Sequence, residues 1–296
     1  MTAIPPPAAG PVRDGPRNAL SSKKAVVLLR RALTHLVSVP VRSVGTIGRG
    51  VALAISVVRY SIIDGLRLRL PTGEMLVQAW ALLKVTATPA LLMAIPIGAI
   101  VSIQTAGLVN QVGASSLVGA ASGVGVVRQG APVTAGLLMG GAAASAIASD
   151  LGARAIREEL DALRVLGVDP VRSLVVPRFL ALLIIAPMLC AIIIASAVAA
   201  AFTIAVGVSG VTTGSFWQSF GTFASVTDVW FTLAKSLIFA GVVAVVSCLR
   251  GMEAKGGPRG VADAVNSSVV LNVVFIAIIN LALTQLQTMF FPMEVS

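Results

Sequence analysis

The sequence predicts an all-α integral membrane protein, with about five transmembrane helices, an N-terminal amphipathic helix and a charged helical segment between two spans. Of its 296 residues, 56% are hydrophobic and 11% are charged, against roughly 25% charged residues in soluble domains. Residues 150–178 carry five arginines and five acids, whereas residues 129–149 and 179–227 carry no charge. Because an apolar run of about 20 residues crosses a bilayer, this charged segment (residues 150–178) is expected at a membrane surface.

The N-terminal part divides into two regions. Residues 1–44 are basic and begin with a proline-rich stretch, so they are expected to be disordered or partly helical. Residues 45–296 form the expected membrane domain, which opens with an amphipathic pattern over residues 45–70. The polar face of that pattern carries Arg49, Ser56, Tyr60, Asp64 and Arg67. The other face carries Val51, Ile55, Val58, Ile62 and Leu66. Such a helix suits the plane of the membrane interface.

Five apolar segments are expected to span the membrane. They cover about residues 82–106, 131–149, 179–206, 232–249 and 268–290 by the length that a bilayer requires. Pro89 and Pro96 in the first span and Pro187 in the third are expected to kink their helices. Residues 107–127 and 207–227 are uncharged and rich in small polar residues. The sequence leaves open whether they are external loops, short re-entrant helices or extensions of the spans.

The distribution of basic residues predicts the orientation. Eleven of the 22 basic residues precede Trp80, five lie in the charged segment and three lie in residues 250–263. The segments expected on the other side of the membrane carry few charges, namely Arg128 in the first and Asp228 with Lys235 at the second. Cytoplasmic loops carry the excess of Lys and Arg, so the N-terminus and the charged segment are expected in the cytoplasm and the C-terminus outside. This describes a multi-pass protein of the inner (plasma) membrane.

The net charge of +10 is better explained by attraction to an anionic leaflet than by nucleic-acid binding. The basic residues are not interleaved with aromatic side chains, which single-stranded nucleic acids require for stacking. No nucleic-acid partner is therefore expected.

Enzyme chemistry finds little support in this sequence. The only histidine is His35 in the N-terminal region, so the Gly-x-Ser-Gly match at residues 207–210 has no histidine base within the spans. No Cys/His cluster predicts a metal site, and no phosphate-binding Gly-x-x-x-x-Gly-Lys-Ser/Thr loop occurs. Cys190 and Cys248 are expected as free buried thiols. The chain is therefore expected to bind no cofactor and to have no catalytic residues.

Ion-coupled transport is also disfavoured, because it requires ionisable groups within the membrane. Lys84 and Lys235 stand near the ends of predicted spans and are expected to snorkel to the interface.

The charged segment shows helical order. At 100° per residue, one face of its first part carries Asp150, Arg154, Arg157, Glu158, Asp161 and Arg164. The opposite face carries Ile156, Leu160, Leu163 and Leu166. The spacing predicts ion pairs between Asp150 and Arg154 and between Arg157 and Asp161.

Gly167 is expected to end this helix in the left-handed conformation, and Asp169-Pro170 to cap the next one. Glu159 projects onto the apolar side and needs a partner there. Arg178 is the expected one.

At this segment the chain resembles a family. Residues 157–170, Arg-Glu-Glu-Leu-Asp-Ala-Leu-Arg-Val-Leu-Gly-Val-Asp-Pro, followed by Val-Val-Pro-Arg at 175–178, are similar to the signature of MlaE/YrbE permeases. These are the membrane subunits of lipid-transporting ABC systems that work with MCE-domain proteins. Gln-Gly-Ala-Pro at 129–132 and the small-residue run at 140–148 also fit. The sequence of residues 150–159 most resembles that of the A-type permease of actinobacterial Mce systems.

The resemblance implies a function that the residues alone do not. The charged segment would be a coupling helix docked on a cytoplasmic ABC ATPase dimer, which binds ATP and Mg; taken alone, it would be a solvated loop. The chain would move lipid or fatty-acid-like substrates, with a second, B-type permease and external MCE proteins as partners. The alternative is a non-transporting scaffold that anchors an MCE assembly. The expected coupling residues are Arg154, Arg157, Glu158, Glu159, Asp161 and Arg164, with Glu158 facing the ATPase.

Two further sets of residues are expected to serve the spans. Gly136, Gly140 and Gly141 in the second span allow another helix to approach closely, within the chain or at a subunit interface. The candidates for a lipid pathway come from the first span. They are Leu92, Ile95, Pro96, Ile100 and Gln104.

Overall fold

The computed structural model describes residues 45–46, 48–64, 72–111 and 113–290. The region 1–44, expected to be disordered or partly helical, lies outside the described residues, and so does the end of the amphipathic pattern after residue 64. The chain divides into the units Met1–Arg49 and Gly50–Ser296. The fold and the contacts below belong to the second unit.

The described part of the second unit contains eight helices and no strand. Helix α1 is its first element, with residues 50–64 in this unit. The helices that follow are α2 (Thr72–Gln111), α3 (Val118–Ile156), α4 (Glu159–Val165), α5 (Val171–Gly207), α6 (Thr213–Phe223), α7 (Val226–Met252) and α8 (Pro258–Phe290). A short 3-10 turn, Ser115–Leu117, precedes α3.

Five of these helices are long and apolar enough to cross a membrane, namely α2, α3, α5, α7 and α8. The predicted fold class is therefore confirmed. The two segments that the sequence left open have different structures. Within residues 107–127, α2 continues to Gln111 and α3 begins at Val118, so most of this stretch extends the neighbouring spans. Residues 207–227 contain the separate short helix α6.

Helix α3 forms the centre of the bundle, and its window of spanning residues is the most buried of the five. The surface of α3 that packs against the other helices is rich in alanine and glycine, including the buried Ala135, Ala143 and Ala144. In lipid, helices gain little from the hydrophobic effect on associating, so small residues that permit close contact hold them together. A Cβ atom on Gly136 or Gly140 would come within 2.8 Å of Ile276 on α8, whereas Gly141 has open space beside it.

Helices α2 and α5 approach each other most closely at Gly98. A Cβ atom at this position would lie 2.1 Å from the carbonyl oxygen of Ala197. One turn further along α2, the Ser102 hydroxyl donates a hydrogen bond of 2.9 Å to the carbonyl of Ala201. The two backbones are thus in contact over this stretch, which leaves no room for a side chain at residue 98.

The variant Gly98→Ala is expected to destabilise the folded chain by about 1–3 kcal/mol, because the added methyl group forces the two helices apart. Its matched control is Gly107→Ala in the same helix, where nothing lies within 4 Å of the added carbon. The control should be neutral or slightly stabilising. Thermal loss of the monodisperse fraction in detergent measures the difference, and equal midpoints for the two variants would contradict the close packing.

Candidate functional site

The charged segment is broken by a turn in the middle. Helix α3 ends at Ile156, Glu158 adopts the left-handed conformation with φ of 61°, and α4 begins at Glu159. A backbone hydrogen bond stabilises the turn, since the Glu158 N–H donates to the Ala155 carbonyl at 3.1 Å. The predicted continuous polar face from Asp150 to Arg164 is therefore wrong. The break resets the helical phase, and few non-glycine residues adopt a left-handed conformation.

The predicted end of the segment is confirmed. Gly167 has φ of 75° and closes the turn after α4. The carboxylate of Asp169 accepts a hydrogen bond of 2.9 Å from the backbone N–H of Val171, which caps the start of α5. Gly167 and Asp169 act only on neighbouring backbone groups. Their predicted roles therefore do not depend on the direction of the helix before Glu158.

Arg178 is paired with Asp150 across the segment. Arg178 is 1% exposed, and its guanidinium donates to the Asp150 carboxylate and, at 2.6 Å, to the carbonyl of Leu174. Asp150 also accepts from Arg154 at 3.3 Å, as its spacing predicts. A buried cation requires such a partner because an unpaired buried charge is costly. The pair joins the end of α3 to the beginning of α5.

The predicted pair between Glu159 and Arg178 is wrong. The side chain of Glu159 is 41% exposed and lies 3.0 Å from the guanidinium of Arg157 and 3.7 Å from that of Arg154. The predicted pair between Arg157 and Asp161 is also absent from these contacts, since Asp161 accepts from Arg164 at 2.7 Å. Both errors follow from the turn at Glu158, which carries Glu159 outwards and separates Arg157 from the helix of Asp161.

The apolar side of α4 is only partly buried. Leu160 is packed inward, while Leu163 and the preceding Ile156, the last residue of α3, are half-buried. Val165 and Leu166, in contrast, are 88% and 75% exposed, and the neighbouring Val168 is also exposed. The prediction that Leu166 faces inward is therefore wrong. The three exposed residues Val165, Leu166 and Val168 form an apolar tip at the end of α4.

A cleft lies between α4 and the turn that joins α7 to α8. It has a volume of about 420 Å³. Charged side chains of both signs line it: Glu158, Asp161, Arg164 and Lys255. The apolar tip and this cleft together are called the docking surface below. It combines exposed apolar groups with charges that can select a partner.

Two polar residues of helix α1, Tyr60 and Asp64, face the charged segment. Asp64 is 3% exposed, and its carboxylate accepts hydrogen bonds from two nitrogens of Arg172, the Nε atom at 2.9 Å. The Tyr60 hydroxyl lies beside Asp169, and the interaction with this carboxylate raises the pKa of Tyr60 above its usual value. The sequence predicts the polar face but not its partner. The signal for it is the stripe Leu53, Val57, Tyr60 and Asp64, which has a helical spacing.

The lipid-pathway candidates of the first span share one face of α2. Leu92, Ile95 and Ile100 are exposed apolar residues, and Pro96 and Gln104 are exposed beside them. This face does not pack against the described part of the chain. It is therefore available to lipid or to another subunit.

One polar cluster within the bundle was missed by the sequence analysis. Arg128 Nε lies 2.7 Å from Asp228 Oδ1, and Gln287 donates to the same oxygen at 3.2 Å. Lys235 is 1% exposed and donates to Thr284 at 3.2 Å, so the prediction that it snorkels to the interface is wrong. A buried lysine avoids the interface when it has acceptors inside the bundle.

A capping signal identifies the extension of α7 that contains Asp228 of this cluster. Ser225 and Asp228 form a capping box at the start of α7, a pattern that marks a helix N-terminus. The helix therefore begins before the predicted span. Among the described residues, no group of three His, Cys, Asp or Glu side chains is placed to hold a metal ion.

The sequence matches the Permease MlaE family over residues 75–286. This chain belongs to the MlaE permease family. A probable ABC transporter permease protein of Synechocystis sp. is 31% identical over 190 residues, which are 64% of this chain and 72% of the relative. A probable ABC transporter permease protein of Rickettsia typhi is 26% identical over 189 residues, 64% of this chain and 73% of the relative. The resemblance to MlaE permeases is confirmed, and the chain is a transport subunit.

A plant protein extends the range of relatives of this MlaE permease. The chloroplastic protein TRIGALACTOSYLDIACYLGLYCEROL 1 of Arabidopsis thaliana is 28% identical over 175 residues, which are 59% of this chain and 50% of the relative. The matched region of the family, residues 75–286, contains the whole charged segment and all residues of the docking surface.

Titration of Tyr60 tests the contact between α1 and the charged segment. The chain contains a single tyrosine, so the change in absorbance near 295 nm as phenol ionises reports this residue alone. Because the neighbouring carboxylate disfavours the phenolate, the midpoint should lie above the usual tyrosine pKa of about 10. Asp169→Asn should lower the midpoint towards that value. An unchanged midpoint in this variant would show that Tyr60 and Asp169 are not in contact in solution.

Proposed function

We propose that this permease is the transmembrane subunit of an ABC transporter that moves lipid or fatty-acid-like substrates across or out of the inner membrane. A separate cytoplasmic ATPase dimer, which binds ATP and Mg, drives it. A second, B-type permease and external MCE proteins complete the assembly. The N-terminus lies in the cytoplasm and the C-terminus outside, in line with the distribution of basic residues.

The exposed apolar tip of α4 carries the proposal. Val165 and Leu166 are among the most exposed large apolar residues of the described chain, yet they stand in a segment dense with charge. Exposed apolar groups rimmed by polar residues are typical of protein–protein contacts. Burying one such side chain stabilises a complex by about 1.5–3 kcal/mol. An ATPase that receives this tip would gain affinity from Val165 and Leu166 and orientation from the charges around the cleft.

The connection of α4 to the spans supports a coupling role for the docking surface. The pair Asp150–Arg178 links the ends of α3 and α5, and Glu159 at the start of α4 contacts Arg154 of α3. A displacement of α4 by the ATPase would therefore also displace the membrane-spanning helices α3 and α5. Of the expected coupling residues, Arg154, Arg157 and Glu159 serve this internal network, whereas Glu158, Asp161 and Arg164 line the cleft that faces a partner.

Two observations support a lipid substrate. The exposed face of α2, with Leu92, Ile95 and Ile100, is apolar and carries no charge. It suits an acyl chain better than an ion or a sugar. The plant relative is itself named for a diacylglycerol lipid. The same open face, together with the sparsely buried α8, offers surface for the second permease.

Capture of the ATPase tests the docking surface. The double variant Val165→Asp/Leu166→Asp should reduce co-purification of the ATPase with the permease pair by about tenfold or more, since about 1.4 kcal/mol corresponds to each factor of ten. Folded yield should not change, because both side chains are already exposed. Glu158→Lys/Asp161→Lys should weaken capture through the charges of the cleft.

The matched control is Val208→Asp, at the far end of α5, where a valine is 74% exposed. It should retain full capture. Equal capture by the wild type and the Val165→Asp/Leu166→Asp variant would exclude the tip as the ATPase contact and make the segment an ordinary solvated loop.

A further inference from the structure

Helix α1 has one side that faces the protein and one that does not. The inner stripe consists of Leu53, Val57, Tyr60 and Asp64, spaced as successive turns of one helix face. Leu53 and Val57 join the main apolar core. The opposite stripe is exposed and apolar, with Val51, Ile55, Val58 and Ile62. A helix with these two faces lies against the bundle and offers the open stripe to the membrane interface.

The inner stripe ends in a set of polar contacts with the charged segment. Asp64 receives two hydrogen bonds from the guanidinium of Arg172, a fork geometry that fixes orientation as well as distance. Tyr60 makes the second contact, to Asp169. These four residues are called the clasp. Asp64 is nearly inaccessible to water, so the ion pair with Arg172 contributes to keeping its charge inside the fold.

The clasp stands at a junction of three elements. Asp169 lies in the turn between α4 and α5, directly after the apolar tip, and Arg172 lies in the first turn of α5. Asp169 also caps α5 through the backbone N–H of Val171. Because this turn connects α4 to α5, a displacement of α4 relative to the spans also moves the residues of the turn. The side chains of Asp169 and Arg172 interact with α1.

We propose that the clasp makes α1 a third moving part of the transporter, with Asp64 and Arg172 as positioning residues that pass displacement of α4 to the helix at the membrane surface. This inference rests on the function proposed above. The open apolar stripe of α1 would then shift in the interface during each cycle, next to the lipid that is being moved. The function of α1 is thus coupling as well as anchoring.

Functional tests use the complete transporter in vesicles, with ATP hydrolysis and transfer of a fluorescent phospholipid measured in parallel. Asp64→Asn keeps the size of the side chain but removes the charge that Arg172 binds. ATPase capture and basal hydrolysis should match the wild type, while lipid transferred per ATP should fall about tenfold, the change that about 1.4 kcal/mol produces. Arg59→Gln, which removes a charge from the same helix outside the clasp, is the matched control and should behave as the wild type.

A double variant separates coupling from mere stability. Arg172→Gln removes two charge-assisted hydrogen bonds from the buried Asp64 and should lower folded yield. The double variant Asp64→Asn/Arg172→Gln should recover that yield, since neither charge remains, but should keep the low transfer per ATP of Asp64→Asn. Recovery of both yield and transfer would overturn the positioning role and reduce the clasp to a structural contact.

A distance measurement on the permease pair alone keeps the two proposals distinct. Spin labels at Ile55→Cys and Val168→Cys, in a background with Cys190 and Cys248 replaced by alanine, report the separation of α1 from the turn. The wild type should give one narrow distance distribution, and Asp64→Asn a broad one. Identical distributions would overturn the clasp without reference to any ATPase. A wild-type transporter that transfers no lipid would instead contradict the proposed function and the transmission role, while the distances would still report the clasp.

Discussion

The buried guanidinium of Arg178 is the constraint on which the end of this permease that carries the charged segment depends. A cation that is almost wholly shielded from water is stable only beside a negative charge, and Asp150 supplies it from the end of α3. That contact fixes where α5 begins relative to α3, and so it fixes where the chain between them can stand. Arg154 and Glu159 extend the same network into α4. The docking surface is thus held by ion pairs that originate at the ends of two spans.

The spans themselves follow a different rule. Lipid provides little driving force for helices to associate, so the bundle is held by close backbone contacts at small residues. Gly98 against Ala197, and Gly136 and Gly140 against α8, are such contacts. Close contact leaves little freedom for one helix to move without its neighbour. In the proposed account, a force applied at α4 therefore displaces packed helices as units and does not dissipate in side-chain motion.

The sequence was sufficient wherever the signal was local. Hydropathy and length predict the five spans, and Gly167 and Asp169 mark the end of one helix and the start of the next because each acts on its own backbone. The errors arise where a partner is chosen in three dimensions. A helical wheel assumes one continuous helix from Asp150 to Arg164, but the left-handed Glu158 divides this stretch into two helices. The partners of Asp64 and Lys235 lie on elements whose position no spacing rule gives.

Lipid transfer by the complete assembly is the most direct measurement of the central claim, that this chain is a lipid-transporting ABC permease and not a scaffold. The chain would be reconstituted with the proposed second permease, ATPase and MCE proteins in vesicles that contain a fluorescent phospholipid. The account predicts transfer that requires ATP and stops when the ATPase is replaced by a variant that cannot hydrolyse it. An intact assembly that hydrolyses ATP, yet transfers no more lipid than the inactive variant, would contradict it.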